Sequence, residues 1–287
     1  MSYAFIRGHV AAFPVRVMCE VLGAGRSGYH AWAGRPESAR AAADRDLAAQ
    51  IRVAHEASRG RYGSPRVHAE LRAHGRRVGR KRVARLMRGM GLSARRRRRF
   101  RRTTDSTHAF PVAPNLLGRD FTASAPGRVR LADLTYIRTA EGWLYLAVVL
   151  DLFSRRVVGW SMSATMTAQL VADALVIAIG RRGRPEALLH HSDRGSQYAS
   201  DQFQRLMADH GIVCSMSRAG NVWDNAAMES FFSSMKIERT ERKTYRTRDQ
   251  AKADVFDYIE RFYNPRRRHS TIGYLSPMEF ERQAMLA

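Results

Sequence analysis

The sequence predicts an α/β protein in which a mixed β-sheet with flanking helices follows a small helical arm. Residues 128–216 alternate apolar runs, typical of strands, with stretches of helical periodicity. Residues 1–92 read as a succession of short helices. Positive charge is concentrated before position 121. Residues 1–120 contain 26 Lys and Arg but 8 Asp and Glu, whereas the remainder contains 23 Lys and Arg and 18 Asp and Glu. This bias indicates a nucleic-acid partner.

The chain has 287 residues, of which 45% are hydrophobic, so it can bury a sizeable core. We expect a helical arm over 1–92, an arginine-rich linker over 93–127 and an α/β core over 128–287. The longest apolar run, Trp143–Leu150, is too short to cross a membrane, and we expect no membrane partner. The two cysteines match no disulfide or metal pattern and are expected to be reduced.

Residues 14–33 are predicted to form two short helices, Val15–Leu22 and Tyr29–Trp32, around a glycine-rich turn. The turn, Gly23–Gly28, matches a dinucleotide-binding glycine pattern. That pattern requires a strand before it and another after the helix that it opens, whereas the sequence predicts helices on both sides. A helix-turn-helix fragment is therefore the favoured interpretation.

Residues 44–92 are predicted to form three more helices. The first covers Asp44–Ser58, and the second begins at Ser64-Pro65, an N-cap followed by proline, and ends near Gly75. The third covers Arg80–Arg88. A short bundle with a basic last helix suits the major groove of DNA; the alternative is an ordinary solvated bundle. The expected DNA-binding residues of the last helix are Arg82, Arg85 and Arg88.

The linker contains a run of arginines. A block of like charge is usually unfolded and often binds nucleic acid. It contacts phosphates, so we expect it to add affinity with little sequence preference. The alternative is a merely solvated linker. The expected phosphate-binding residues are Arg95, Arg96, Arg97, Arg98 and Arg99.

The remainder of the chain is predicted to form five strands and three helices. The second strand is apolar except for Asp151 and suits a central position, buried on both faces. The predicted strands are Val129–Ile137, Trp143–Leu152, Arg156–Met162, Ala187–His191 and Ile212–Met216. The predicted helices are Met166–Ile179, Ser200–His210 and a long one, capped by Asp224 or Asn225, that runs to about Glu241. Strands first, then alternating helices and strands, indicate a mixed sheet.

Three acidic residues stand out in this core. Asp133 lies within a strand, where Asp is uncommon, on the face shared by Leu131 and Thr135. Asp193 follows an apolar strand, and Glu229 lies within the last long helix. Carboxylates from three such elements can converge and bind Mg²⁺, and two cations promote in-line attack on a phosphodiester.

Each acid also has an ordinary interpretation. Asp193 suits a plain turn beside Gly195, and Glu229 suits a solvated helix face. The 35 residues that separate these two acids decide nothing by themselves. The surrounding motifs therefore carry the argument.

These motifs resemble the integrase core of retroviral integrases and bacterial transposases, in particular the second-reading-frame transposases of insertion-sequence family three. The resemblance covers nearly the whole chain. In the arm it rests on Met18–Leu22, Ser27–Tyr29, Tyr62–Arg66 and Arg85–Arg88. In the core it rests on Ala132–Tyr136, Asp151–Arg155, Val158–Trp160, His191–Tyr198, Trp223–Ala226, Glu229–Phe232 and Tyr263–Pro265.

The resemblance implies a ribonuclease-H-like integrase core and the activity of a DDE transposase, a polynucleotidyl transferase that cleaves and joins DNA strands. It implies that Asp133, Asp193 and Glu229 are catalytic and bind two Mg²⁺ ions, for which Mn²⁺ can substitute. It also implies that Lys236, two helical turns after Glu229, holds the substrate DNA.

The implied partners are DNA, at the terminal repeats of the element and at its target, and further copies of this chain on that DNA. In this family an upstream reading frame, with its own helix-turn-helix and coiled coil, is often fused by frameshifting. This chain begins at Met1 and has no leucine heptads, so we expect it to work with that product. The expected location is the bacterial cytoplasm, at the nucleoid. His30 and Val222 depart from the family's pattern without touching the acids.

Two other functions are compatible with the residues alone. A structure-specific nuclease with the same core would cleave DNA without joining strands. A DNA-binding regulator with an inactive core would bind DNA without any metal-dependent reaction. The presence of all three acids and Lys236 favours the transposase over the regulator.

Overall fold

The computed structural model describes residues 2–94, 111–183, 187–218, 222–241 and 243–286. The expected phosphate contacts of Arg95–Arg99 lie outside these residues. The arm is helical throughout its described part, as predicted. Its helices are α1 (Ser2–Gly8), α2 (Val15–Val21), α3 (Arg26–Ala33), α4 (Ala39–Ala57), α5 (Ser64–Ala73) and α6 (Arg80–Gly89). No described helix is both long and apolar enough to cross a membrane.

The rest of the chain folds around a mixed sheet. Its strands are β1 (Val129–Thr139), β2 (Gly142–Asp151), β3 (Val157–Ser163), β4 (Leu189–Ser192) and β5 (Val213–Met216). Its helices are α7 (Ala168–Arg182), α8 (Ser196–Ala199), α9 (Asp201–Asp209), α10 (Ala226–Met235), α11 (Arg248–Phe256) and α12 (Pro277–Leu286). π-Helical turns continue α10 over Lys236–Thr240 and α11 over Asp257–Tyr263.

The five strands lie in the order β3-β2-β1-β4-β5. Short connections make β1, β2 and β3 antiparallel neighbours, whereas helical crossovers make β4 parallel to β1 and β5 parallel to β4. β2 lies inside the sheet and is buried from Leu146 to Asp151, as its apolar run predicts. The predicted mixed five-stranded sheet with flanking helices is confirmed.

The two faces of the sheet are covered by different helices. Residues of α10, α11 and their π-helical continuations pack on one face in a cluster that includes Leu131 and Ile137 of β1. Helices α7, α8 and α9 pack on the other face against Ala132. At Gly159 in β3, α7 approaches so closely that an added Cβ would lie 2.2 Å from the carbonyl oxygen of Ala174. Glycine is therefore required there by packing.

The arm contains two apolar clusters. Helices α4, α5 and α6 pack together through buried aliphatic residues: Leu47, Ile51, Val67, Leu71, Val83 and Met87. Helices α1, α2 and α3 form a separate cluster around Ile6, Met18, Cys19 and Tyr29. The predicted helices of 14–33 are present, and no strand flanks their glycine turn within the described residues. The dinucleotide-binding interpretation is therefore excluded.

The arm docks on the C-terminal part of the core through α5 and the turn before it. Tyr62 joins the same apolar cluster as Phe262, with ring centroids 6.4 Å apart. The guanidinium of Arg61 lies 4.2 Å from the centroid of the Phe262 ring. The side chain of Arg268 donates a short hydrogen bond to Glu70 of α5. Aromatic packing and charged hydrogen bonds together hold the arm on the core.

Two predicted helix starts are corrected. α4 begins at Ala39, before the predicted Asp44, because Ser38 caps it by accepting a hydrogen bond from the Ala41 N–H at 3.1 Å. α5 has Gly63 rather than Ser64 at its N-cap, and Ser64 is already helical. Neither change alters which faces are buried.

The structure decides between the two predicted N-cap residues of the last long helix. Asn225 occupies the N-cap of α10 without a side-chain cap bond, and Asp224 lies in a preceding 3₁₀ turn. Asp224 is fully buried and accepts hydrogen bonds from Arg218, Arg119 and Asn115 instead. These long-range charged partners compete successfully with the local cap.

Candidate active site

Asp133 lies in the centre of β1, which is the central strand of the sheet. It projects towards the face covered by α10, as do its strand neighbours Leu131 and Ile137. Its Oδ1 accepts a hydrogen bond from the Leu134 N–H at 2.7 Å. Burial raises the pKa of Asp133 well above 3.8, and the charges of Asp193 and Glu229 raise it further. A nearby negative charge disfavours ionisation, so the three acids share one electrostatic environment.

Asp193 is positioned by the parallel pairing of β4 with β1. Leu131 lies opposite His191 in that register. Because the strands are parallel, Asp193, the first residue after β4, lies at the level of Asp133, two residues further along each strand. Its Oδ1 accepts a hydrogen bond from the Gly195 N–H at 3.0 Å. A Cβ added to Gly195 would lie 3.1 Å from the same oxygen. Glycine lets the loop close around the carboxylate.

Glu229 lies in the first turn of α10. The helix is held against β1 by apolar contacts of Met228 and Phe232. At its start, the Asn225 Nδ2 donates to the Ala132 carbonyl oxygen at 3.4 Å. Because Ala132 adjoins Asp133, this contact fixes the beginning of the helix beside the acidic strand.

Lys236 completes the group as the cation. Its Nζ lies 5.2 Å from the centroid of the Tyr136 ring in β1, a distance at which the ring attracts a cation. Burial lowers the pKa of Lys236, whereas the charge of Asp133 raises it. The position seven residues after Glu229 keeps the lysine on the face of α10 that meets β1.

Asp193 at the end of β4, Glu229 in α10 and Lys236 just after α10 therefore all lie close enough to Asp133 of β1 to influence its charge. Binding a metal ion requires the side chains to lie closer together than electrostatic interaction does. Among the residues that the structure describes, no group of three or more His, Cys, Asp or Glu lies close enough to hold a metal ion.

The expected DNA-binding arginines of α6 lie in the arm. Arg82 and Arg85 both donate to the carboxylate of Asp44, at 2.7 and 2.6 Å, which lowers the pKa of Asp44. Arg88 is exposed. These contacts orient the first two side chains on the outside of the bundle, and the structure does not bring them to the acids.

One residue near the acids was not singled out from the sequence. The Tyr198 hydroxyl, in α8, is buried and has no hydrogen-bond partner among the described residues. Burial raises its pKa well above 10.0, and the charges of Asp133 and Asp193 raise it further. Tyr198 is the last residue of the motif that contains Asp193. Its place in that motif was the one sequence feature that could have indicated that it lies near the acids.

Comparisons with known proteins agree with this architecture. A family model described as "Integrase core domain" matches residues 123–222, another with the same description matches 229–285, and one described as "HTH-like domain" matches 42–100. The chain is 46% identical over 283 residues to the transposase InsF for insertion sequence IS3A of Escherichia coli strain K12, which covers 98% of both chains. The chain belongs to the IS3 family of transposases.

Two further relatives place this transposase more broadly. An uncharacterised 31 kDa protein of insertion element IS600 from Shigella sonnei is 44% identical over 263 residues, covering 92% of this chain and 97% of that protein. The catalytic core of HTLV-2 integrase, solved in complex with magnesium, is 17% identical with a TM-score of 0.40 and covers 55% of this chain and 98% of its own.

Membership of the IS3 family makes this chain a DNA transposase with a ribonuclease-H-like integrase core, an enzyme of the polynucleotidyl transferase type. The functional class and the fold class predicted from the sequence are confirmed. The regulator and the nuclease are not supported by any relative described above.

Proposed function

We propose that this transposase cleaves the ends of its element and transfers the freed strands to target DNA, with Asp133, Asp193 and Glu229 as its catalytic acids. The observation that carries the proposal is the placement of the three acids on the central strand β1, at the end of its parallel neighbour β4 and in the first turn of α10. Three carboxylates from separate elements, coupled beside a lysine, form a site for cations and phosphates.

The chemistry of the donor set fits Mg²⁺. All three groups are carboxylates, the hard oxygen ligands that Mg²⁺ prefers, and no described Cys or His cluster offers a softer site. We propose that the three acids hold two Mg²⁺ ions, with Mn²⁺ as a substitute. When bound, such cations lower the pKa of an attacking water and neutralise the leaving oxygen.

Two successive phosphoryl transfers follow from this arrangement. In the first, a water oxygen bonds to phosphorus at the element's end, the bond from phosphorus to the 3′ oxygen breaks, and that oxygen leaves as a 3′ hydroxyl. In the second, this hydroxyl attacks a target phosphodiester and displaces another 3′ oxygen. Both steps are in-line displacements at phosphorus, and neither requires a covalent bond to the protein.

The residues of this chain hold the DNA during both steps. Lys236, packed on the Tyr136 ring, supplies a positive charge next to the acids and is proposed to bind a phosphate of the substrate strand. Arg82, Arg85 and Arg88 on α6, together with Arg95–Arg99, are proposed to bind DNA outside the site. Further proposed partners are other copies of this chain on the DNA and the upstream-frame product.

Cleavage and joining of labelled DNA that carries the element's ends test the proposal. Wild type, Glu229→Gln and the exposed control Glu20→Gln are compared with Mg²⁺ and the upstream-frame product. We expect wild type and the control to cleave and join, and Glu229→Gln to bind DNA without reacting. Equal activity of a folded Glu229→Gln would refute the role of that acid. Cleavage without joining in wild type would indicate the nuclease, and binding alone the regulator.

A further inference from the structure

A positively charged cleft lies beside the acids. It is bounded by α10, the β2–β3 turn and the C-terminal loop, which contains Arg267 and Thr271. We call it the basic cleft, and its volume is about 290 Å³. Its polar lining includes the guanidiniums of Arg66, Arg155 and Arg267, the imidazole of His269, and the hydroxyls of Ser230 and Thr271. The proposed reaction has not used any of these residues.

The basic cleft is close to the acids along both elements that they share. On α10, its residue Ser230 directly follows Glu229. On the sheet, its residue Leu150 pairs with Leu131, two positions from Asp133. Two residues of a strand span about 7 Å. Leu150 and Leu131 belong to the apolar cluster on the face towards which Asp133 projects, so the cleft adjoins the acids on that face of the sheet.

The charges around the basic cleft do not cancel. Glu238 accepts hydrogen bonds from Arg267 at 2.7 to 3.1 Å and lies 3.7 Å from Arg66, so one carboxylate faces two guanidiniums. Arg155 forms no ion pair with any carboxylate of the described residues, and its Nη2 donates to the Phe121 carbonyl oxygen at 3.3 Å. The cleft therefore keeps an excess of positive charge.

The positive charges of the basic cleft also act on His269. Burial first, and then the charges of Arg267, Arg66 and Arg155, lower the pKa of His269 to about 2. Fields from all three arginines thus meet at one imidazole, which stays neutral. A neutral ring among guanidiniums and hydroxyls leaves the cleft suited to an anion.

Arg155 is held in place by its turn. Its backbone is in the left-handed region, with φ of 63°, which is uncommon for a residue with a side chain and recurs at functional sites. The buried carboxylate of Asp151 fixes the turn by accepting from the N–H groups of Phe153 and Ser154 at 3.0 and 3.3 Å. The guanidinium is therefore presented from a rigid base.

We propose that the basic cleft binds a backbone phosphate of the DNA strand that enters the acidic site, close to the phosphodiester that is cut. Arg155 and Arg66 are its cationic donors, and the hydroxyls supply neutral ones. Guanidinium groups suit a phosphate because they offer planar pairs of N–H donors. This inference rests on the proposed function, because it takes the acids as the point of cleavage.

Binding of a fluorescent DNA duplex, measured by anisotropy against salt concentration in EDTA, tests the inference. The variants are Arg155→Gln, the charge-retaining Arg155→Lys, and Arg205→Gln, an exposed arginine on α9 across the sheet. We expect Arg155→Gln to weaken binding about tenfold and to reduce the slope of log affinity against log salt by about 1. Arg155→Lys should retain most of the affinity, and Arg205→Gln should match wild type.

A second substitution distinguishes a loss of phosphate binding from a disturbance of the turn that carries Arg155. Thr271 is exposed at the rim of the cleft, so Thr271→Asp adds a negative charge without truncating a buried group. It should weaken binding as Arg155→Gln does while its melting temperature stays unchanged. Equal effects of Arg155→Gln and Arg205→Gln, or wild-type binding by Thr271→Asp, would overturn the inference. Because EDTA prevents cleavage, this assay measures DNA binding alone, and its outcome does not depend on whether the proposed reaction occurs.

Discussion

The hydroxyl oxygen of Tyr62 accepts a hydrogen bond from the Arg268 N–H at 2.9 Å and donates one to the Arg266 carbonyl oxygen at 3.1 Å. Tyr62 and Arg268 are 206 positions apart. One side chain of the arm thus satisfies two backbone groups of the core. Burial raises the pKa of Tyr62, so the hydroxyl stays protonated at neutral pH.

Tyr62→Phe tests the contribution of this contact. We expect the free energy of unfolding to fall by about 1 to 3 kcal/mol, because two partly buried backbone groups lose their partner. Chemical denaturation measures the loss. Tyr3→Phe is the control, since its hydroxyl makes only an exposed 3.5 Å contact with Gly25, and it should change stability little. An equal loss in both variants would contradict the prediction.

Two glycines near each other in the fold predict opposite effects of the same change. In Gly159→Ala the new methyl would lie 2.2 Å from the Ala174 carbonyl oxygen and 2.7 Å from the Ala178 Cβ, so we expect a loss of about 1 to 3 kcal/mol from overpacking. In Gly180→Ala, within α7, nothing lies within 4 Å of the new methyl. That variant should gain about 0.5 to 1 kcal/mol.

Thermal or urea unfolding of the two variants is the measurement. The difference in sign matters more than either magnitude, because both substitutions add the same methyl group. A stabilised Gly159→Ala would show that α7 can move away from β3.

The lysine beside the acids gives a prediction for catalysis. Lys236→Met should reduce strand joining about 10- to 100-fold, because it removes a charged contact to phosphate next to the acids. Tyr136→Leu, which removes the ring beneath the ammonium group, should cause a smaller loss. Joined product from labelled ends is measured, with Lys252→Met as the control, since Lys252 is exposed on α11.

Asp224 predicts a pH dependence of stability. Arg218 and, after it, Arg119 hold the pKa of this carboxylate well below its ordinary value of 3.8. A lowered folded-state pKa contributes stability above the unfolded pKa, and this is lost as the pH falls through the folded value. Asp224→Asn should therefore cost about 2 kcal/mol at neutral pH, and its difference from wild type should narrow below pH 3.8.

Urea unfolding at pH 7 and near pH 3 measures this difference. The control is Asp249→Asn, an 86% exposed residue paired with Lys252, for which we expect little change at either pH. A difference that stays constant down to pH 3 would assign the cost of Asp224→Asn to packing rather than to charge.

Metal binding predicts a change in stability that does not depend on catalysis. Mg²⁺ at about 100 times its dissociation constant should raise the melting temperature by about 5 °C. Asp133→Asn should abolish most of that rise, because its amide cannot replace a carboxylate ligand. Ca²⁺-free scanning calorimetry with and without Mg²⁺ is the measurement. An equal rise in Asp133→Asn would place the cations elsewhere.

Local patterns were enough to predict most of this fold. Apolar runs located all five strands to within a few residues, and the basic helix over Arg80–Arg88 matches α6. These features depend on neighbours in sequence, which the periodicity of side chains records. The three acids were singled out differently, because each lies in its own motif, and their catalytic role stays a prediction.

Long-range choices could not be predicted. The choice between Asp224 and Asn225 as the N-cap of α10 stayed open, because Asp224 pairs with Arg119, 105 positions away, and leaves the N-cap position to Asn225. The docking of Tyr62 on the C-terminal loop left no local signal either. Whether the carboxylates of Asp133, Asp193 and Glu229 lie within ligand distance of one metal depends on three separate segments, and sequence spacing does not determine it.

The attachment of Tyr62 to residues 266 and 268 also orders events during synthesis. A ribosome adds about 5 to 20 residues per second, so roughly 10 to 40 seconds pass between the emergence of the arm and that of its docking loop. In that interval the arm can form its own small bundle but has no surface on which to settle. The arm is therefore fixed in place only on a chain whose catalytic strands and acid-bearing helix have already been made.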